Sequence, residues 1–439
     1  PSRPPSRLLG LLLVIGLLPA MALGQSESTD RVHVRLYHGT SVSEVQLTAT
    51  EGDLSVSLPG HSAPLLHLRS GETVTVGRRN GEVFLRRKAG SGLYAQALRF
   101  EPTGDRGTWT LTRENGSGTT YSGSLRIAPS EADPSLVVVN GVPLPDYVAS
   151  VVASEYGLDD QAGRRAMAVV ARTYALFAIQ KFEGNYDHVD GTASQVYAGL
   201  DAVTPEARQA TDATSGQIVT YNGTPIQAVY SSSSGGHTAD NETVWATNEG
   251  QPYLRGKEDP YDSASPHHRW SATVNRADLL DALSRAEGTE VSGFTLDDQT
   301  SYGRLSTIRL LHPNRASTSM NANDFRLAVN RGVEGTPLKS TWFDATRDGA
   351  RYTFEGRGFG HGVGLSQWGA HAMAEQGHSY RRILSFYYTG VDIETLDGRA
   401  LPTPPAPVAD NTAPERPAST PPSSSTAPDT SASSSRIGW

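Results

Sequence analysis

Cysteine is absent from all 439 residues. That excludes disulfides, thiolate zinc sites and a cysteine nucleophile. An excess of positive charge is absent too: 38 basic residues against 46 acidic ones leave a net charge of −8. Nucleic-acid binders carry basic patches that neutralise phosphates, so this balance argues against a nucleic-acid partner. It says less about a polymer of neutral sugars. Long apolar runs are missing except near the N-terminus, where Arg3 and Arg7 precede the run from Leu8 to Leu18. Pro19 breaks that run, and Ala22-Leu23-Gly24 supplies small residues for cleavage. The pattern is that of a secretory signal, and the run is too short for a comfortable membrane span. The expectation is a leader over 1–24 and a mature chain from near Gln25, without a stable membrane span. Familiar cofactor and nucleophile motifs are also missing. Gly358-Phe359-Gly360 fails the dinucleotide spacing, and around Ser366 the second glycine of a nucleophile elbow falls one residue late. No His-x-x-x-His helix motif offers a metal, so no cofactor is expected.

What is present begins with strands. Val32, Val34 and Leu36 alternate with polar residues, as do Leu54, Val56 and Leu58, and Val74 and Val76. Turn residues such as Asn80-Gly81 separate the runs, so hairpins are expected through Ile127. Nothing there clusters into a site, and a scaffold role is expected. The tail from Leu401 to Ser435 is Pro, Ser, Thr and Ala, too poor in apolar residues to fold. The fold class expected is α+β. A β-rich segment over 25–136 packs with a mixed α/β core of catalytic type over 137–396, and a disordered tail covers 397–439.

The chain is organised around Leu144 to Phe182. Pro145 suits the first turn of a helix, Gly157 interrupts it, and Asp159 offers an N-cap for a second. Ala162, Ala166, Val169, Val170, Thr173, Tyr174 and Phe177 fall at helical spacing, a buried face. Glu155 is the anomaly. It is the only acid between Asp146 and Asp159, and Val151, Val152 and Ala153 precede it. A carboxyl in such company holds its proton to higher pH and can act as an acid. On helix pattern alone, a solvated glutamate in the last turn is the competing reading.

Downstream motifs are spaced through the core. Gln195-Val196-Tyr197-Ala198-Gly199 follows Asp187, His188 and Asp190. Asn222-Gly223 marks a hairpin. The Ser231 to Ser234 run precedes Gly235-Gly236-His237, with Trp245 and Tyr253 beyond. Small hydroxyls beside glycines can approach sugar hydroxyls, and the aromatics can stack on a sugar face. A surface turn accounts for the same residues equally well. Trp270 to Ser284 reads as an amphipathic helix with Leu279, Leu280 and Leu283 inward. Glycine occupies every second position from Gly356 to Gly364, enclosing His361. Ser366 then caps a helix to Gln376, and Ser379 starts a last one stopping at Gly390. His361 and Gln367 are candidates to line a cleft, with packing an equal reading for Gln367.

These motifs together resemble the stage II sporulation protein D family, which includes amidase enhancers, over roughly Val138 to Glu394. The resemblance implies action on bacterial peptidoglycan glycan strands in the periplasm or cell-wall space. It implies a lytic transglycosylase with Glu155 as the acid. The muramic acid 6-hydroxyl attacks its own anomeric carbon, so no second carboxylate is needed; Asp187 and Asp190 are unconvincing as one. Tyr174, Gln195, Tyr197, Ser233, Ser234, Gly236, His237, His361 and Gln367 become the expected substrate-binding residues. Some members bind zinc through two cysteines; Val189 and Ser194 stand there, so no metal is carried over. Two alternatives are a non-catalytic wall protein that stimulates a cell-wall amidase, and a metallohydrolase using His188, His237 and His361.

Overall fold

The computed structural model describes residues 30–396, apart from 89–91, 105–106, 115, 178–185, 248 and 336. The expected leader and tail lie outside the described residues. Helices and strands occur in both halves, so the fold is α+β.

Period-two alternation becomes two sheets. The first has seven strands, in the order His188–Val189, Arg31–Leu36, Leu136–Pro143, Ser124–Pro129, Leu98–Pro102, Leu54–Ser57 and Leu66–Leu68. Only its first pairing is parallel. The second has six strands, ordered Thr119–Ser122, Thr108–Arg113, Glu44–Glu51, Thr73–Arg79, Glu82–Arg87 and Gly92–Ala95. Val32, Val34 and Leu36 point inward, as their spacing requires. Asn80 and Gly81 both take positive φ, 52° and 83°, in the two-residue turn between strands. Strand Leu136–Pro143 lies inside the first sheet, between strands contributed by earlier residues, and then feeds the first helix. One apolar core runs from Leu47, Phe100 and Trp109 through to Val152, Val170 and Tyr388.

Helix α1 spans Leu144–Glu155, with Pro145 in its first turn where no N–H partner is required. Helix α2 spans Gln161–Phe177. Its N-cap is Asp160, not Asp159: Asp160 Oδ1 accepts the Gly163 N–H at 2.5 Å. Asp159 instead lies in solvent beside Arg164. The described part of α2 is buried all round from Ala166 onward, a fuller burial than one face. Thr173 Oγ1 accepts the Val219 N–H at 2.9 Å and ties the helix to strand Gln217–Tyr221. The expected hairpin there turns at Asn222 and Gly223, φ 52° and 76°. Residues 178–182 of the expected helix lie outside the described residues.

After α3 (Pro205–Ala213) and α4 (Asn241–Trp245), the chain builds a second lobe over 270–356. It has its own core of Leu279, Leu283, Ile308, Phe325 and Phe354. Trp270–Asn275 is a strand, and helix α5 starts only at Arg276, because Asn275 Oδ1 caps it by accepting from Ala277 N at 2.9 Å. Helix α6 (Ala322–Gly332) packs against α5. The chain then returns through the glycine segment to α7 (Gln367–Glu375) and α8 (Tyr380–Tyr387). Ser366 and Ser379 cap these two helices, accepting from Gly369 N and Arg382 N.

Trp109 is fully buried, stacks on Tyr121 at 4.9 Å and donates Nε1–H to the Gly123 carbonyl at 2.8 Å. Trp109→Ala should lower the unfolding free energy by about 3–5 kcal/mol, read from urea denaturation.

Candidate active site

Glu155 is the last residue of α1 and is 5% exposed. Its backbone carbonyl accepts the side-chain amide of Gln367 from the start of α7, at 2.9 Å. Its Oε1 accepts the Val196 N–H at 2.8 Å. The Tyr230 hydroxyl also acts on this carboxyl, favouring its charged form. Burial raises the Glu155 pKa from the ordinary 4.5 to about 7, while the Val196 and Tyr230 hydrogen bonds pull it down. No cation among the described residues contributes. The carbonyls at the end of α1 also present negative potential to an anion. Glu155 is thus buried rather than solvated, as its apolar neighbours suggested.

Around it stands a set of side chains from distant elements. Tyr147, on α1, donates its hydroxyl to Gln195 Oε1 at 3.2 Å, and Gln195 Nε2 donates to the Tyr230 oxygen at 3.3 Å. Tyr174 of α2 is buried within electrostatic range of Tyr147 and Tyr230. His361 is half-buried; its Nδ1 accepts the Val363 N–H at 3.0 Å, and Trp245 lies 5.3 Å away. Burial, with Arg326 and Arg304 nearby, pushes the His361 pKa down to about 3, so the ring is neutral.

Four expected contacts turn inward instead. Ser233 Oγ donates to Asp262 Oδ2 at 2.8 Å, and Ser234 Oγ to Asp259 Oδ2 at 2.9 Å. Both serines are buried, and their hydroxyls hold the loop together. Tyr197 gives its hydroxyl to Asn140 Oδ1 at 2.8 Å and packs on Tyr147, a core role. Gln367 is likewise buried, on the Glu155 carbonyl. Gly236 is half-buried with φ 104°, and the half-buried His237 stacks on Tyr302 at 3.8 Å.

Sequence reading missed Asp262. It is fully buried and also accepts from Ser234 N, Gly235 N and Ser366 Oγ, with His268 at 3.2 Å. It thereby ties the serine loop to the cap of α7. Asp259 beside it has its pKa raised to about 6, by burial first and then by the Asp262 charge. Arg304 donates Nη2 to the Ser234 carbonyl at 3.1 Å, fixing the loop from the second lobe. Gly358 approaches so closely that a Cβ would lie 2.8 Å from the Ser233 carbonyl oxygen.

A family model described as Stage II sporulation protein matches residues 132–221, the stretch from before α1 past Gln195. The chain is similar to Stage II sporulation protein D of Bacillus amyloliquefaciens, 32% identical over 59% of this chain and 76% of the relative. The chain belongs to the stage II sporulation protein D family. It is also similar to an uncharacterized protein of Brachyspira hyodysenteriae, 29% identical over 80% of this chain and 93% of that one. The Amidase enhancer of Bacillus subtilis is 29% identical over 52% of this chain but only 37% of its own length.

In this member of the stage II sporulation protein D family, the other acids near the motifs are engaged elsewhere. Asp187 Oδ2 accepts from His33 N at 2.9 Å, and Asp190 from Tyr37 N and His38 N, all anchoring to the first strand. His188, His237 and His361 have separate surroundings: His188 stacks near Tyr147, His237 on Tyr302, and His361 beside Trp245. No group of metal-holding size forms among the described residues.

The raised Glu155 pKa has a stability consequence. As pH rises from 4.5 towards 7, the unfolded chain loses this proton first, so folding is progressively disfavoured. Glu155→Gln stays neutral. Relative to the parent, it should gain roughly 3 kcal/mol of stability between pH 4 and pH 8. Urea denaturation of both proteins at both pH values measures this.

Proposed function

We propose that this protein is a peptidoglycan lytic transglycosylase that cleaves glycan strands between N-acetylmuramic acid and N-acetylglucosamine. One observation carries the reading: a single buried carboxyl whose pKa burial raises to about 7, with no second free carboxylate facing it among the described residues. Glycosidases that use water need such a partner as base or nucleophile. Here Asp187 and Asp190 are bound to strand backbone, and Asp259 and Asp262 to serine hydroxyls.

Glu155 gives its proton to the bridging oxygen. The bond from that oxygen to the muramic acid C1 breaks, and its electron pair leaves on the oxygen, which becomes a hydroxyl of the departing strand. The sugar left behind is oxocarbenium-like. Its own 6-hydroxyl oxygen bonds to C1, and the hydroxyl proton passes to the Glu155 carboxylate. The product is a 1,6-anhydro sugar, no water is consumed, and Glu155 is again protonated. In this reading half-buried Trp245, His237 and neutral His361 contact the glycan. Wall localisation, after removal of the leader, belongs to the same reading.

A second reading is a non-catalytic wall protein that stimulates a cell-wall amidase. Similarity to the Amidase enhancer of Bacillus subtilis favours it. Purified protein incubated with isolated glycan strands separates the two. The transglycosylase releases anhydro-ended fragments unaided, and Glu155→Gln lowers the rate about 10²–10⁴-fold. Because the acid must carry its proton, activity should fall as pH rises through about 7. Fragments that appear only when an amidase is added would overturn the enzymatic reading.

A further inference from the structure

Glu155 stands at the end of a chain of hydrogen bonds with a fixed direction. The Tyr147 hydroxyl donates to Gln195 Oε1 at 3.2 Å. With its oxygen accepting, the amide presents its nitrogen on the other side, and Nε2 donates to the Tyr230 oxygen at 3.3 Å. The Tyr230 oxygen therefore already receives a hydrogen, which leaves its own to act on Glu155, whose Oε1 accepts from Val196, the residue next to Gln195. Reversing the Gln195 amide would turn both phenols round and take that hydrogen away from the carboxyl.

We propose that Tyr230 is a positioning residue for the acid: its hydroxyl, oriented by Gln195 and Tyr147, holds the Glu155 carboxyl and steadies the carboxylate left after proton transfer. This rests on the transglycosylase reading above. The arrangement meets a particular difficulty. Burial alone makes Glu155 a reluctant acid, and one that holds its proton too tightly transfers it poorly. A donor that strengthens when the carboxyl ionises offsets this where no cation does so. The groups facing the site are few. Tyr147 and Glu155 come from α1, Tyr174 from α2, and Val196 contributes its N–H. Gln367 of α7 reaches the Glu155 carbonyl. Beyond Tyr230 lies His361, neutral because of its burial and of Arg326 and Arg304. Tyr230 removal lifts the Glu155 pKa further, since its hydrogen bond is one of the two that lower it.

The test is the pH profile of kcat/KM on isolated glycan strands for the parent, Tyr230→Phe, Gln195→Leu and Glu155→Gln, with folding checked by near-UV circular dichroism. Tyr230→Phe should move the alkaline limb upward by about one to two pH units. At pH 6 it should lower kcat about tenfold with little change in KM, the size of a single transition-state hydrogen bond. Gln195→Leu should move the limb the same way by less, and it carries the readout should Tyr230→Phe not fold. A folded Tyr230→Phe with an unmoved limb, beside an inactive Glu155→Gln, overturns the role of Tyr230 alone. An active Glu155→Gln overturns the acid assignment itself. A displaced limb in Tyr230→Phe with none in Gln195→Leu overturns the oriented chain.

Discussion

The structure depends on a carboxyl buried without a counter-charge. An isolated carboxylate in a low-dielectric interior is costly, and it meets that cost either by finding a cation or by keeping its proton. No cation among the described residues reaches Glu155, so burial favours its protonated form. The surroundings make this consistent: it closes α1, where helix carbonyls repel an anion, and Tyr147, Val151 and Val152 of the same helix are fully buried. One backbone N–H and one phenol stabilise the ionised form enough to leave the pKa near 7. An acid with that value can lose and regain a proton under mild conditions.

The rest of the fold holds that carboxyl still. The first sheet delivers the chain through Leu136–Pro143 directly into α1. Helix α2, buried all round from Ala166 to Phe177, packs against α1. Asp262 fastens the serine loop to the cap of α7, and α7 in turn sends Gln367 to the Glu155 carbonyl. Arg304 reaches from the second lobe to the same loop. Two separately cored lobes thus meet at one clasp made of buried polar groups, each residue tied by at least one hydrogen bond, although Arg304 Nε and Gln367 Oε1 are buried without a partner. Such networks are worth most when complete, which makes the clasp sensitive to single substitutions.

Much of this was legible because it is local. Alternation at Val32, Val34 and Leu36 specified strands, Asn80-Gly81 and Asn222-Gly223 specified turns, and Ser366 and Ser379 specified caps. Glu155 stood out because it was the lone acid after an apolar run. The misreadings were of two kinds. Asp159 and Asp160 are equally good caps by type, and only the three-dimensional exit from α1 decides between them. Trp270–Asn275 has apolar spacing that suits a helix, but strand pairing with Arg351–Gly356, far along the chain, takes it. That the serines hold their own loop was not legible, because their partners Asp262 and Asp259 lie 29 and 25 residues further on. Tyr230 was passed over for the same reason: its neighbours Gln195 and Glu155 approach only in the fold.

The most direct measurement is a carbon-13 NMR titration of the Glu155 side-chain carboxyl, followed in the folded protein between pH 4 and pH 9. An inflection near 7 is the result expected from burial without a cation. An inflection at the ordinary carboxylate value of 4.5 would mean that the group is ionised at neutral pH, and would contradict its assignment as the acid.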